Sequence, residues 1–170
     1  MTTLELANDL TTISIAPIPQ RFLDRARSQG IDDQGQAVQR VTAKGGEPCR
    51  DVLRRATAGE ELILASFTPF TKAGPYKEYG PIFILANASD EPVNRDALPP
   101  AGLPTNYLRD QFAVRAYSAN EAIIDAALVR APDLGETVDR FFSSPETAFL
   151  HVRFPTYGCF ACRIDRSSHA

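Results

Sequence analysis

Residues 60–67, EELILASF, form a continuous apolar run after a glycine, and residues 80–86, GPIFILA, form a second run that begins with glycine and proline. Half-exposed strands alternate between apolar and polar residues, whereas strands buried on both faces read as unbroken apolar runs. Neither run approaches the ~20 apolar residues that a membrane helix needs. The two stretches therefore predict two central strands of a sheet.

Shorter signals on both sides of these runs add further elements. Alternating β-branched or apolar residues predict a strand over 11–18, an edge strand over 37–43, a hairpin over 112–129 and a final hairpin over 146–166 whose loop is 155–158. Helical spacing of apolar residues predicts short helices over 19–30, 48–59 and 132–144. By composition, residues 120–129 also fit a helix. The expected fold is α+β: a mainly antiparallel mixed sheet of six to eight strands, about three short helices and a C-terminal β-hairpin.

The helix over 48–59, PCRDVLRRATAG, has clear boundary signals. Pro48 suits a first helical position and Gly59 a stop. The spacing i, i+3, i+4 and i+7 predicts one apolar stripe along this helix. The stripe contains Cys49, Val52, Leu53 and Ala56. Cys49 is thus expected on a packed helix face.

Composition limits the kind of protein. The chain has 170 residues, of which 44% are hydrophobic and 23% charged, which fits one soluble domain over 1–170. A net charge of −3 argues against nucleic acid and membrane surfaces as partners, although local basic clusters can still bind a small anion. No basic leader precedes an apolar run, and three cysteines cannot all pair, so we expect a cytoplasmic location with free thiols. The oligomeric state is left open.

Two long connections separate the predicted strands. Residues 68–79, TPFTKAGPYKEY, contain two prolines, two tyrosines and a phenylalanine, and a connection of this length is often functional. We expect it to act as a lid over a site. Residues 87–111 contain four prolines among Asn and Asp, which predicts an irregular surface excursion.

Three short motifs occur in a fixed order: Cys49-Arg50 ahead of a Gly-Glu-Glu strand, Gly-Pro-Ile-Phe over 80–83, and His-Val-Arg over 151–153 followed by Gly-Cys. With these marks the chain resembles a bacterial family, the domain of unknown function 1203 family, from about residue 48 to residue 166. The resemblance implies a small α+β protein and carries no established activity, and residues 1–47 are expected to belong to the same domain. Family members often carry a second Cys where Val52 stands and a His where Leu85 stands.

The cysteines and His151 suggest a metal site or a thiol site. Cys49, His151, Cys159 and Cys162 make four ligands, the number that zinc requires, but the single Cys-x-x-Cys lies in a predicted strand, where residues three apart point to opposite faces. We therefore expect no zinc and no cofactor. Cys49 or Cys162 could instead act as a thiolate nucleophile with His151 as base, if they lie within hydrogen-bonding distance. Packing of the thiols as small hydrophobic groups is the alternative.

His151 lies in the predicted strand AFLHVRF. Alternation places Leu150, Val152 and Phe154 on the core face and His151 and Arg153 on the other face. If the loop is 155–158, His151 lies opposite Cys162. A loop one residue shorter or longer brings Cys159 or Ala161 to that face instead.

Arginines on strands are the other unusual feature, because Arg115, Arg153 and Arg163 all lie among apolar residues. Either they form structural ion pairs with Asp165, Asp125 and Glu61, or two of them converge on a carboxylate or phosphate. The leading hypothesis is a domain that binds a small anionic molecule. Its expected ligand-binding residues are His151, Arg153, Arg115, Lys77 and Tyr79. The alternatives are the thiol-dependent enzyme and a structural or partner-binding domain without catalysis.

Overall fold

The computed structural model describes residues 12–167, so Thr11 of the first predicted strand and His169 lie outside the described residues. Its strands form two sheets. The strands of the first sheet are β1 (Ile13–Ala16), β7 (Gln111–Tyr117), β8 (Ile123–Arg130), β9 (Phe149–Arg153) and β10 (Phe160–Arg166). Their order in the sheet is β1-β10-β9-β7-β8, and all neighbouring strands are antiparallel.

The strands of the second sheet are β2 (Gln39–Thr42), β3 (Pro48–Cys49), β4 (Arg54–Arg55), β5 (Glu61–Phe67) and β6 (Gly80–Leu85). Their order in the sheet is β2-β5-β6-β3-β4. Its pairings are antiparallel except that β3 runs parallel to β6, with Cys49 opposite Phe83. The predictions of two central strands and of an edge strand over 37–43 are confirmed, because β5 and β6 are internal and β2 lies at the edge.

Two helices pack on these sheets. Helix α1 (Gln20–Asp24) continues as a π-helical turn, Arg25–Gln29, and ends at Gly30, whose φ of +67° suits a residue without a Cβ. Helix α2 (Leu134–Phe142) follows a 3-10 turn, Ala131–Asp133. The helices predicted over 19–30 and 132–144 are therefore confirmed in type and place.

Apolar residues fill three main layers. The largest lies between α2 and one face of the first sheet, where Leu150 and Val152 pack. A second joins α1 to one face of β5 and β6 and includes Phe160 from β10, so it connects the two sheets. A third contains Leu62 and Leu85 from the other face of β5 and β6. The two strands thus have residues buried on both faces, as their unbroken apolar sequences predict.

The helix predicted over 48–59 is wrong. Residues 48–55 form a tight hairpin of β3 and β4, in which the Leu53 N–H donates to the Cys49 carbonyl at 2.9 Å. Leu53 has a φ of +52°, a value that no right-handed helix allows. Pairing of Cys49 with β6 outweighs local helix propensity. The predicted apolar stripe is nevertheless buried: Cys49, Val52, Leu53 and Ala56.

The predicted count of elements also needs correction. The described residues form ten strands in two sheets and two helices, instead of six to eight strands and about three helices. Two of the additional strands, β3 and β4, come from the segment that was predicted as a helix. Both predicted hairpins and the irregular course of residues 87–110 are confirmed. In the part of the chain that the structure describes, no helix is both long and apolar enough to cross a membrane.

Candidate functional site

The first sheet brings the strand arginines and the histidine into one group. His151 on β9 lies opposite Arg115 on β7 and opposite Arg163 on β10. Arg153 lies two residues further along β9, on the same face. We call these four residues the basic row: Arg115, His151, Arg153 and Arg163. The core layer against α2 lies on the opposite face, as alternation in this strand predicts.

His151 is fully buried in an aromatic cage. Four rings have centroids 4.7 to 5.2 Å from the imidazole: Phe70, Tyr117, Phe149 and Phe160. Within residues 12–167 neither ring nitrogen has a hydrogen-bond partner. Burial lowers the pKa of His151 well below its usual value, and the charges of Arg153, Arg163 and Arg115 add to that shift. The imidazole is therefore neutral at pH 7, with a donor and an acceptor that are both unsatisfied.

Arg153 is a nearly buried cation whose counterion comes from a loop. Its side chain is 5% exposed, and it forms an ion pair with Glu78, whose side chain is 43% exposed. The same Glu78 oxygen lies 3.3 Å from Nη1 of Arg115. Burial lowers the pKa of Arg153, and the Glu78 carboxylate opposes that shift. One carboxylate from residues 68–79 thus bridges two arginines of the basic row.

Residues 68–79 are fixed at one end. The Thr71 and Lys72 N–H groups donate to the Glu121 carboxylate at 3.0 and 2.9 Å, and the Thr68 N–H donates to Asp33 at 2.8 Å. Burial favours the neutral form of Glu121, but these backbone hydrogen bonds outweigh it and lower the pKa of that carboxyl. Phe70 is held between them against His151. Residues 73–79 contact the basic row only through the ion pairs of Glu78 with Arg115 and Arg153.

Lys77 and Tyr79 are near Glu78 in sequence but contact each other. Lys77 Nζ lies 5.8 Å from the centroid of the Tyr79 ring. Among the described residues, neither side chain has a hydrogen bond or ion pair with the basic row. Residue Glu78 between them, absent from the predicted ligand-binding set, makes the contact instead. A carboxylate flanked by two basic or aromatic loop residues is the sequence signal that could have identified it.

Arg163 already has a partner. Its Nη2 lies 2.8 Å from Asp165, and its guanidinium stacks 3.9 Å above the Phe149 ring. The predicted structural pairing with Asp165 is therefore present. Asp125 and Glu61 do not pair with strand arginines: Asp125 accepts from the Ala126 N–H and Glu61 from the Thr42 hydroxyl. Of the basic row, only Arg115 and Arg153 converge on a common carboxylate.

The terminal cysteines do not share a face with His151. A register shift between Phe160 and Cys162 places Cys162 opposite Val152, so that His151 faces Arg163 instead. Ala161 and Cys162 both join the core layer, and Cys159 packs at its border. The idea that one terminal cysteine lies in the pocket with His151 is wrong. The cysteines point away from His151 because a β-bulge between Phe160 and Cys162 shifts the register of β10. The bulge follows shortly after Gly158, whose φ is +72°.

The predicted thiol nucleophiles are poor candidates. Cys49 and Cys162 are buried, and burial raises the pKa of each thiol to about 12. Cys49 packs in the layer on the far side of the second sheet, and Cys162 packs on the core side of the first. The thiol–imidazole pair required for nucleophilic catalysis is not formed by either residue. In the described range 12–167, no three His, Cys, Asp or Glu side chains come together as a potential metal site.

Arg50 is a buried residue whose role the sequence predictions missed. It donates to the Phe160 carbonyl at 2.8 Å, to the Pro48 carbonyl at 2.7 Å and to Cys159 Sγ at 3.2 Å. Its backbone N–H donates to the Phe83 carbonyl. Arg50 therefore contacts all three of the motifs on which the family resemblance rests. Its own place in the first of these motifs was the sequence signal that could have identified it.

These features define a mostly antiparallel α+β protein whose first sheet carries a partly buried basic row, in which His151 and Arg153 are buried and a loop carboxylate pairs with Arg153 and Arg115. The chain belongs to the family described as Protein of unknown function (DUF1203), whose model matches residues 46–166. No curated protein and no solved structure shows significant similarity to it. Strands β1 and β2 lie outside the matched region, yet they pair with β10 and β5 and so complete both sheets.

Proposed function

We propose that the protein binds a small anion, a carboxylate or phosphate, at Arg115 and Arg153 in the position now filled by the Glu78 carboxylate. The observation that carries the proposal is the bridging of both guanidinium groups by one loop carboxylate. A guanidinium pair that holds one carboxylate has the geometry to hold another, because Arg presents planar donors that match carboxylate and phosphate oxygens. Glu78 is then an internal substitute for the ligand.

Burial of Arg153 favours an anion at this position. An unpaired charge inside a protein costs up to several kcal/mol, so a counterion stabilises Arg153. Glu78 is half-exposed, and residues 73–79 make no other ion pair with the basic row among the described residues, so its carboxylate can leave when another anion takes its place. Exchange of one anion for another leaves Arg153 paired throughout.

The unsatisfied ring nitrogens of His151 favour a role in ligand binding over packing alone. Its two unsatisfied ring nitrogens would each cost about 1–3 kcal/mol, and an apolar ring of similar size would avoid that loss. A ligand that moves Phe70 or Tyr117 aside would give one nitrogen a partner. His151 is thus expected to bind the ligand as a neutral group.

Lys77 and Tyr79 are expected to close over the ligand when residues 73–79 rearrange. The three free cysteines favour a reducing compartment such as the bacterial cytoplasm.

The test uses inorganic phosphate and isothermal titration calorimetry. The Glu78→Gln variant, which removes the competing charge, is the parent protein. Adding Arg115→Gln should weaken phosphate binding about tenfold, the loss of one charge-assisted hydrogen bond. Adding Arg130→Gln, an exposed arginine at the end of β8, should leave the affinity unchanged. Equal affinities for the two double variants, or no phosphate binding by any of them, would refute the proposal.

A further inference from the structure

A cleft of about 270 Å³ lies on the other side of the His151 cage. Its walls are the connection from β1 to α1, the first residues of segment 68–79, and β10. The floor is apolar and is formed by Pro17, Ile18, Phe22, Phe67, Phe70 and Phe160. Phe70 and Phe160 are also two rings of the cage, and Arg163 of the basic row lines the cleft, whereas Glu78, Arg115 and Arg153 do not.

Most charged residues at the border of the cleft have an ion-pair partner. Arg163 pairs with Asp165, and Asp33 pairs with Arg25. The exposed Arg21 also lines the cleft, and within residues 12–167 its guanidinium has neither a hydrogen bond nor an ion pair. The cleft therefore offers an apolar floor and one unpaired positive charge.

From this combination we infer that the cleft is a second binding site and that its ligand is an amphipathic monocarboxylate, with an alkyl or aryl body on the floor and the carboxylate on Arg21. Ligand sites in proteins are mainly apolar with a few polar groups that set orientation, and this cleft has that composition. A single negative charge balances Arg21. A dianion such as phosphate would instead place excess charge near Asp33 and Asp165.

The size of the cleft limits the body of the ligand. A volume of about 270 Å³ lies just below the usual range of small-molecule sites, about 300–1,000 Å³, so it fits a medium-length alkyl chain or one aromatic ring. One wall, residues 16–22 with Asp33, precedes the region that matches the family model. The site therefore combines residues from inside and outside the matched region and is independent of the anion exchange proposed at Glu78.

Octanoate and 3-phenylpropanoate are suitable probes, measured by calorimetry and by NMR chemical-shift changes. Both should bind the wild-type protein, and the changes should cluster in residues 16–22, 67–71 and 160–165. Acetate lacks the apolar body and 1-octanol lacks the charge, so each should bind at least about tenfold more weakly.

Variants at exposed arginines separate the site from general charge effects. Arg21→Gln should weaken octanoate binding about tenfold, and Arg21→Glu should abolish it, whereas Arg130→Gln should leave it unchanged. Arg21 is exposed, so its variants should fold normally. Octanoate affinity that is unchanged in Arg21→Glu, equal affinities for octanoate and 1-octanol, or the absence of saturable octanoate binding would each overturn the inference. An octanoate affinity that rises in Glu78→Gln, where the competing carboxylate is gone, would show that octanoate occupies the basic row instead of the cleft and would overturn the inference.

Discussion

Glu78 and Arg153 form an ion pair in which the half-exposed carboxylate of a loop neutralises an almost completely buried guanidinium on a central strand. The pair joins residues 68–79 to the first sheet beside a histidine whose ring nitrogens have no partner among the described residues. Arg115 contacts the same carboxylate oxygen. This arrangement closes the basic row, and it is the basis of the proposed anion exchange.

Removal of the Glu78 charge should destabilise the protein when no anion is present. Glu78→Gln leaves Arg153 buried without a counterion, but solvent reaches the Glu78 side, so we expect a loss of about 1–2 kcal/mol in the free energy of unfolding. Urea denaturation measures it. Glu136→Gln on α2, an equal change of charge on the opposite face of the first sheet, should change stability by less than about 0.5 kcal/mol. Equal stability of the two variants would show that the pair contributes nothing.

His151 should make stability depend on pH. The folded-state pKa is depressed, so below the unfolded value of about 6.5 the unfolded chain binds a proton that the folded protein does not, and the free energy of unfolding falls with falling pH. The fall can reach about 1.4 kcal/mol per pH unit.

His151→Phe should remove that part of the pH dependence. Other titrating groups contribute alike to both proteins, so the difference between wild type and variant isolates the imidazole. Chemical denaturation between pH 8 and 5 should show the variant gaining stability relative to wild type on acidification. A difference that stays constant over this range would mean that His151 titrates normally in the folded protein.

The three thiols should react at different rates with N-ethylmaleimide. Cys49 and Cys162 are buried with raised pKa values, whereas Cys159 is partly exposed in the loop before β10. Thiolates are the reactive form, so mass spectrometry of the native protein should find one fast label, on Cys159, and three labels after denaturation. Cys159→Ser should remove the fast label, while Cys162→Ser should retain it. Fast labelling of Cys49 would contradict the packing described for it.

Arg50 should be important for stability. Arg50→Met keeps the length of the side chain but leaves the carbonyl oxygens of Pro48 and Phe160 without their buried donor, so we expect a loss of about 3 kcal/mol. Arg130→Met, at an exposed position, is the control and should cost less than about 0.5 kcal/mol. A small effect at Arg50 would mean that water or the thiol of Cys159 replaces the guanidinium without loss.

Local sequence patterns predicted the positions of the central strands and the faces of their side chains. The unbroken apolar runs of β5 and β6 and the alternation of β9 identified central strands and the correct face for His151 and Arg153. Residues 48–59 show the opposite case, because helix propensity and Pro48 favoured a helix that pairing with β6 overrides. Burial of the apolar residues was still correct, since it depends on hydrophobicity and not on backbone type.

The candidate site was predictable only in part. Alternation grouped His151 with Arg153, but the partner across the hairpin depended on a β-bulge between Phe160 and Cys162, whose exact position the sequence does not specify. Glu78 was missed because its contacts with Arg115 and Arg153 join residues far apart in sequence. Arg50 was missed because a guanidinium bound by carbonyl oxygens and a thiol needs no acidic neighbour in the sequence.

The affinity for inorganic phosphate, compared by calorimetry between wild type, Glu78→Gln and Glu136→Gln, tests the central claim most directly. If Glu78 occupies the position of the ligand, its removal should raise the affinity at least about tenfold, because phosphate no longer displaces a bound carboxylate, and Glu136→Gln should bind as wild type does. Equal phosphate affinity in Glu78→Gln and Glu136→Gln would contradict the account and leave the Glu78–Arg153 pair a purely structural contact.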